Sequence, residues 1–386
     1  MQNRVPAIDH LKGFVIALVV LHHAILAYVS FGFFNSEFYL RSTSPIVDVL
    51  RWKGFDIIVV FNDGFFMPLM FLLSGLFVWS SLLKKGPVHF LRQRLTRLGV
   101  PFAIVVTVFM PIAHYPSFRL TGAHDDFIQY WMRSITDGPW PAGPLWFVWY
   151  LLLLNILVAC VFSFLTDRQR NAFAIVGDAL RNRRKFFTVL FTASLIFFLP
   201  MLLIYGSEHW FAAGPFAVQA SRVGLYFVYF FAGVGLGASE LSIKGVAWHD
   251  DLNRNWWKWS LASLVSFIAL LYVIITFGVG TAGTPVAKSI IYGFTFALFA
   301  ATTAHAFLAI FFRFGNRSQS LLDSLGANSY GIYLIHYLFV VWLQYWLLDL
   351  QLAAVLKGFI VFWFCLALAW TLVVWLRRSA LIRAYV

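Results

Sequence analysis

The sequence predicts an all-α fold, a polytopic transmembrane helical bundle of about ten helices with both termini in the cytoplasm. Three observations lead there. Hydrophobic residues make up 61% of the 386-residue chain and charged residues only 12%, about half the roughly 25% of a soluble globular protein. The apolar residues fall in long unbroken runs of the length that crosses the hydrocarbon as a helix, about 20 residues. An outer-membrane barrel would instead show alternating segments of about ten. Finally, the connections between runs alternate between basic and charge-poor. A soluble enzyme, a disordered chain and a disulfide scaffold are excluded on this arithmetic.

The runs place helices at 11–31, 55–81, 98–116, 144–165, 186–205, 222–240, 258–278, 287–312, 326–347 and 352–376. One set of connections holds Arg4, then Lys84 to Arg97, Arg168 to Lys185, Lys244 to Lys258, Arg313 with Arg317, and Arg377, Arg378 and Arg383. By the positive-inside rule this set is cytosolic. The same rule accounts for most of the net charge of +13, so nucleic acid is not an expected partner. Anionic lipid and an anionic cytosolic ligand are. Two outer connections are long, 32–54 and 117–143. The second runs into Asp137-Gly138-Pro139-Trp140-Pro141-Ala142-Gly143-Pro144, which cannot be regular helix and reads as a shaped re-entrant or surface loop. The basic start resembles a signal peptide, but Lys12, His22 and His23 interrupt the apolar stretch, so it reads as the first membrane helix. There is no internal repeat, and residues 1–386 read as a single integral-membrane domain.

The first helix carries a polar stripe. Lys12 and His23 are 11 positions apart; at about 100° per residue they face one side, roughly 16 Å apart along the axis. Asp9 shares that side and can pair with Lys12. The stripe thus runs from a cytosolic ion pair to an imidazole near mid-bilayer, where ionisable groups are costly and mark function. An interfacial anchor and a helix–helix hydrogen bond are the structural alternatives. At the mouth of the third helix Arg94 and Arg97 form an i, i+3 pair. Their forks suit the phosphates of a nucleotide or coenzyme A, and they equally suit a positive-inside anchor. His336 and Asp63 fall at depths similar to that of His23, as hydrogen-bonding or catalytic groups. His305 and His114 lie near helix ends and read as interfacial. Trp140 and Trp146 flank the long outer loop, where they belong to the aromatic belt or stack on a sugar. Cys160 and Cys365 form neither a disulfide framework nor a metal-ligand spacing. No HExxH, P-loop, GxGxxG or CxxC occurs, so no metal or dinucleotide is indicated.

Ile8-Asp9-His10-Leu11-Lys12-Gly13 with His23 resembles the first-helix signature of the membrane-bound acyltransferase-3 family: a basic residue, ten positions, then histidine. Phe71-Leu72-Leu73-Ser74-Gly75, Arg94-Leu95-Thr96-Arg97 with Pro101, Gly143-Pro144-Leu145-Trp146-Phe147 and Ser329-Tyr330-Gly331-Ile332-Tyr333-Leu334-Ile335-His336 resemble further family segments. They span nearly the whole chain in the family's order. The basic position is Lys12 where arginine is commoner, and no segment resembles the soluble esterase-like domain that some members append.

The resemblance implies ten transmembrane helices and transfer of an acyl group from cytosolic acyl-CoA, acetyl- or succinyl-CoA, to a carbohydrate or glucan hydroxyl or another small acceptor. It implies His23 as the catalytic histidine, Lys12 from the same motif, and Arg94 and Arg97 on the donor. A bacterial inner (plasma) membrane location follows, and a homodimer is one assembly open to it. The competing class is a secondary transporter or flippase for a sugar or lipid-linked substrate, with Asp63 and the histidines as a proton relay. Such proteins often carry two related halves, and no such symmetry is legible. A receptor or scaffold leaves the arginine pair and buried histidines without a purpose.

Overall fold

The computed structural model describes residues 5–179, 182–238, 254–281 and 283–385. Arg4 and Lys244 lie outside them. The architecture is an all-α bundle. Its long helices are α1 (Pro6–Ile25), α2 (Lys53–Gly75), α3 (Val78–Arg119), a short α4 (Phe127–Thr136), α5 (Trp146–Phe164), α6 (Asp167–Ala179), α7 (Arg183–Tyr205), α8 (Val223–Ala238), α9 (Trp256–Phe277), α10 (Val286–Phe314), α11 (Ser320–Leu347) and α12 (Ala354–Leu376). Among the described residues nine are long and apolar enough to cross a membrane, and α11 is not one of the nine. At 28 residues α11 has the length; Asn328, Ser329, His336 and Gln344, all buried along it, lower its apolarity. Those polar residues point into the bundle, while α9 turns Leu264, Val265, Ile268 and Ile275 outward. Apolar outside with polar inside is the arrangement lipid imposes.

The expected break between 81 and 98 is absent. The segment Lys84 to Arg97 is helical, bent where Gly86 takes φ 71° before Pro87, a left-handed conformation that glycine tolerates. Beyond the bend, α3 passes through three prolines. Each lacks the N–H that would serve the carbonyl four residues earlier. Side chains from elsewhere serve those carbonyls instead. The Tyr330 hydroxyl donates to the Arg97 carbonyl at 2.7 Å, opposite Pro101. The Trp131 indole donates to Thr107 at 2.7 Å, opposite Pro111, and the Trp342 indole to Ile112 at 3.0 Å, opposite Pro116. Just before the first two prolines the helix widens into π-turns at Leu95–Gly99 and Val105–Phe109.

Helices meet closely where side chains vanish. A Cβ on Gly13 of α1 would stand 2.8 Å from the backbone nitrogen of Gly326 in α11. Gly233 and Gly237 of α8 sit against the Leu72 and Leu76 carbonyls at the end of α2. Such small-residue contacts replace the missing hydrophobic drive between helices in lipid. Hydroxyl pairs join α9 to α10: Ser263 with Thr303 and Ser266 with Thr302, each at 2.7 Å. Lys357 of α12 and Asp48 pair at 2.6 Å with both side chains buried, pinning the 29–52 connection to the bundle. Between α7 and α8 a hairpin pairs β1 (Trp210–Ala213) with β2 (Phe216–Gln219), antiparallel, with Trp210 opposite Gln219. The hairpin, α4 and α6 are elements that apolar run length does not reveal.

Candidate active site

The site is built on the close α1–α11 pair. Pro6 opens α1, where its fixed φ suits a first turn. The helix then continues through an apolar run to His22, His23 and Ile25. Its last carbonyls have no helical donor of their own; the Gln344 amide of α11 donates to His23 at 2.8 Å and Ala24 at 3.1 Å. Because the helix spans Pro6–Ile25 rather than 11–31, His23 sits in its final turn. That is about 25 Å along the axis from Pro6, so the mid-helix expectation shifts toward the end away from Lys12.

His23 meets His336 there. Their ring centroids are 5.4 Å apart, with planes inclined by 33°. His336 is fully buried. Its Nδ1 lies 2.6 Å from the Tyr333 carbonyl, and a carbonyl only accepts, so Nδ1 carries the proton and Nε2 carries the lone pair. That Nε2 is enclosed without a hydrogen-bond partner, as is Nδ1 of His23. The His336 carbonyl in turn accepts from the Cys365 thiol at 3.3 Å. Among the described residues His10, His22 and His305 also enclose an imidazole nitrogen without a partner, so what sets His23 and His336 apart is the closeness of their two rings.

Aromatic rings frame the pair. Tyr337 stands edge-on to His23 at 5.0 Å and tilted against His114 at 5.5 Å. His114, expected at the interface, is thus inside, its Nδ1 donating to the Met110 carbonyl at 3.0 Å. The long loop also dips in. Gly143 has φ 51° and lies so close that a Cβ would be 3.2 Å from the Tyr337 ring, while Pro144 accepts a hydrogen bond from Tyr333. The loop therefore packs against α11 at this point. Trp146, the next aromatic, stacks on Tyr226 with centroids 5.0 Å apart, so one of its faces is already covered. Trp140 packs half-buried against the core.

At the other end of α1 the charges are mostly positive. Lys12 is 3.7 Å from Asp9 and 4.5 Å from the centre of the Phe77 ring. Arg94 is close enough for its charge to act on Lys12, and Arg94 and Arg97 act on each other and on Lys85. The Arg94 guanidinium lies 4.9 Å from the centre of the Phe90 ring, with its Nε enclosed and unpartnered. The four cations Lys12, Lys85, Arg94 and Arg97 outnumber the carboxylates at this end of α1, Asp9 on Lys12 and Asp323 on His10, an excess of positive charge that suits an anion.

Asp63 departs from the expected grouping. Its carboxylate is gripped by both Nη atoms of Arg222, one at 2.7 Å, and the same guanidinium donates to the Asp63 backbone carbonyl at 3.2 Å. The pair is near enough to His22 to act on it electrostatically, but Asp63 is committed to arginine and not to the His23–His336 pair. Arg222 was missed in the sequence. Its signal was an arginine at the start of an apolar run, on the side where basic residues are scarce. Among the described residues no three His, Cys, Asp or Glu side chains gather as metal ligands.

An apolar helical bundle with histidines inside it at one level and a cluster of cations at another defines an integral membrane protein with a polar interior. Residues 5–376 match the model of the acyltransferase domain of the acyltransferase-3 family, and the chain belongs to that family. It is a membrane acyltransferase. No curated protein and no solved structure matches it.

Proposed function

We propose that the protein moves an acyl group, acetyl or succinyl, from cytosolic acyl-CoA to a hydroxyl of a carbohydrate or glucan presented from the opposite side. The observation that carries this reading is the close approach of the His23 and His336 rings at the far end of the helix that begins beside the cationic mouth. The donor's phosphates dock on Arg94 and Arg97 through bidentate hydrogen bonds. Lys12 adds charge at the entrance and is itself held by Asp9. The thin pantetheine arm then reaches along α1 and α11 to bring the thioester to the imidazoles.

In the chemical step the acceptor oxygen attacks the thioester carbonyl while His23 takes the hydroxyl proton. The C–S bond breaks, and the coenzyme A thiolate leaves with the proton returned by the imidazolium. An imidazole titrates at about 6.5 in water, which suits it to both halves of that exchange. Attack by His23 itself, giving an acyl-histidine that the acceptor then cleaves, uses the same groups. His336, its tautomer set by Tyr333, lies beside His23. Trp146 and Trp140 border the loop on the acceptor's side. The charge bias of the loops supports a bacterial inner membrane with the cationic mouth in the cytosol.

A transporter needs a titratable intramembrane group free to cycle its proton. Asp63 is neutralised by Arg222, which counts against that role. The test is coenzyme A binding by the purified protein, read as a rise in its unfolding midpoint. It is paired with mass spectrometry of surface glycans and periplasmic oligosaccharides from cells lacking the gene. A raised midpoint and a missing acyl mass are expected; no shift at saturating acetyl- and succinyl-CoA would favour the transporter.

A further inference from the structure

We infer that Tyr330 is a positioning residue for the donor site, acting through the backbone of Arg97; this rests on the reading that acyl-CoA docks at Arg94 and Arg97. The argument begins at Pro101. It denies the Arg97 carbonyl its helical donor, and the chain around Arg97 is a π-turn, Leu95–Gly99. Such turns are local departures from the helix and concentrate at functional sites. The Arg97 side chain is exposed, so the place of its backbone decides the region its guanidinium can reach. Its carbonyl accepts a hydrogen bond from outside α3, from the Tyr330 hydroxyl at 2.7 Å. Tyr330 lies on α11, six residues and about 9 Å along the axis from His336. One hydroxyl therefore ties the arginine that meets the donor's phosphates to the helix that carries the buried histidine. Trp342 makes a chemically similar bond from α11 to Ile112, 15 residues further along α3 and away from both arginines. It supplies the control.

The experiment measures the dissociation constant of coenzyme A, and the unfolding midpoint without ligand, for the full-length protein and three variants. Tyr330→Phe keeps the ring and removes the donor; its dissociation constant should rise about fivefold, the size of one lost hydrogen bond. Trp342→Phe should lower the midpoint at least as much and leave the dissociation constant unchanged. Pro101→Ala returns an N–H to the Arg97 carbonyl and removes the cause of the π-turn. It should hold or raise the midpoint and still weaken coenzyme A binding, which keeps the inference testable should Tyr330→Phe fold poorly. Unchanged binding in Tyr330→Phe and Pro101→Ala would overturn the inference, as would equal weakening in Trp342→Phe. Failure of the unaltered protein to bind coenzyme A would overturn the donor reading, and this inference with it.

Discussion

The imidazoles of His23 and His336 lie 5.4 Å apart between centroids although 313 residues separate them in sequence. The Tyr333 carbonyl fixes which nitrogen of His336 carries the proton. In the proposed mechanism the two histidines act as a unit. His336→Ala should therefore lower acyl transfer by about a hundredfold or more. Adding His23→Ala should cost little beyond the loss from His23→Ala alone. Transfer from radiolabelled acetyl-CoA in isolated membranes measures both; fully multiplicative losses would mean the two histidines work independently.

Arginine at the mouth should act on donor affinity. Arg94→Ala and Arg97→Ala should each raise the acyl-CoA KM by about 10- to 100-fold, the range for a lost charge-assisted hydrogen bond, with a smaller effect on kcat. Lysine should restore the charge and not the fork geometry, so Arg→Lys variants should recover only part of the loss. A steady-state titration of acyl-CoA separates the two parameters.

Asp63 and Arg222 form a pair whose members fail singly. The Arg222 side chain is 8% exposed, so Asp63→Ala leaves an uncompensated buried charge and should destabilise by about 3–5 kcal/mol. Combining it with Arg222→Met should recover most of the unfolding midpoint and keep measurable transfer. A double variant that is stable and wholly inactive would move Asp63 back into the chemistry.

Gly13 admits α11 against α1. With a Cβ 2.8 Å from the Gly326 nitrogen, Gly13→Ala must push the helices apart, at a cost of about 1–3 kcal/mol. The same shift separates His23 from His336, so transfer should fall along with the unfolding midpoint. A variant with wild-type transfer would mean that the histidine spacing tolerates that displacement.

The membrane helices were legible because lipid demands long apolar runs, and the runs became helices within about six residues of their expected bounds, except that α3 begins at Val78, well before 98. His23, Lys12, Arg94 and Arg97 were legible for a related reason: charge inside an apolar run or clustered at its end is conspicuous. What the sequence concealed depends on distant partners. Pro101, Pro111 and Pro116 signal a broken helix, yet α3 continues because Tyr330, Trp131 and Trp342 supply the missing donors. Those donors come from 24 to 233 residues away from the carbonyls they serve. Asp63 looked like a partner for the histidines by depth alone, and Arg222, 159 residues on, claims it. The hairpin at Trp210–Gln219 has strands of only four residues, too short for alternation to stand out.

The most direct measurement is acyl transfer by purified His23→Ala, with its unfolding midpoint and coenzyme A binding determined on the same preparation. A protein that folds and binds donor like the unaltered chain but has lost at least about a hundredfold in transfer is the predicted result. Full transfer by that folded variant would contradict the assignment of the chemistry to this imidazole.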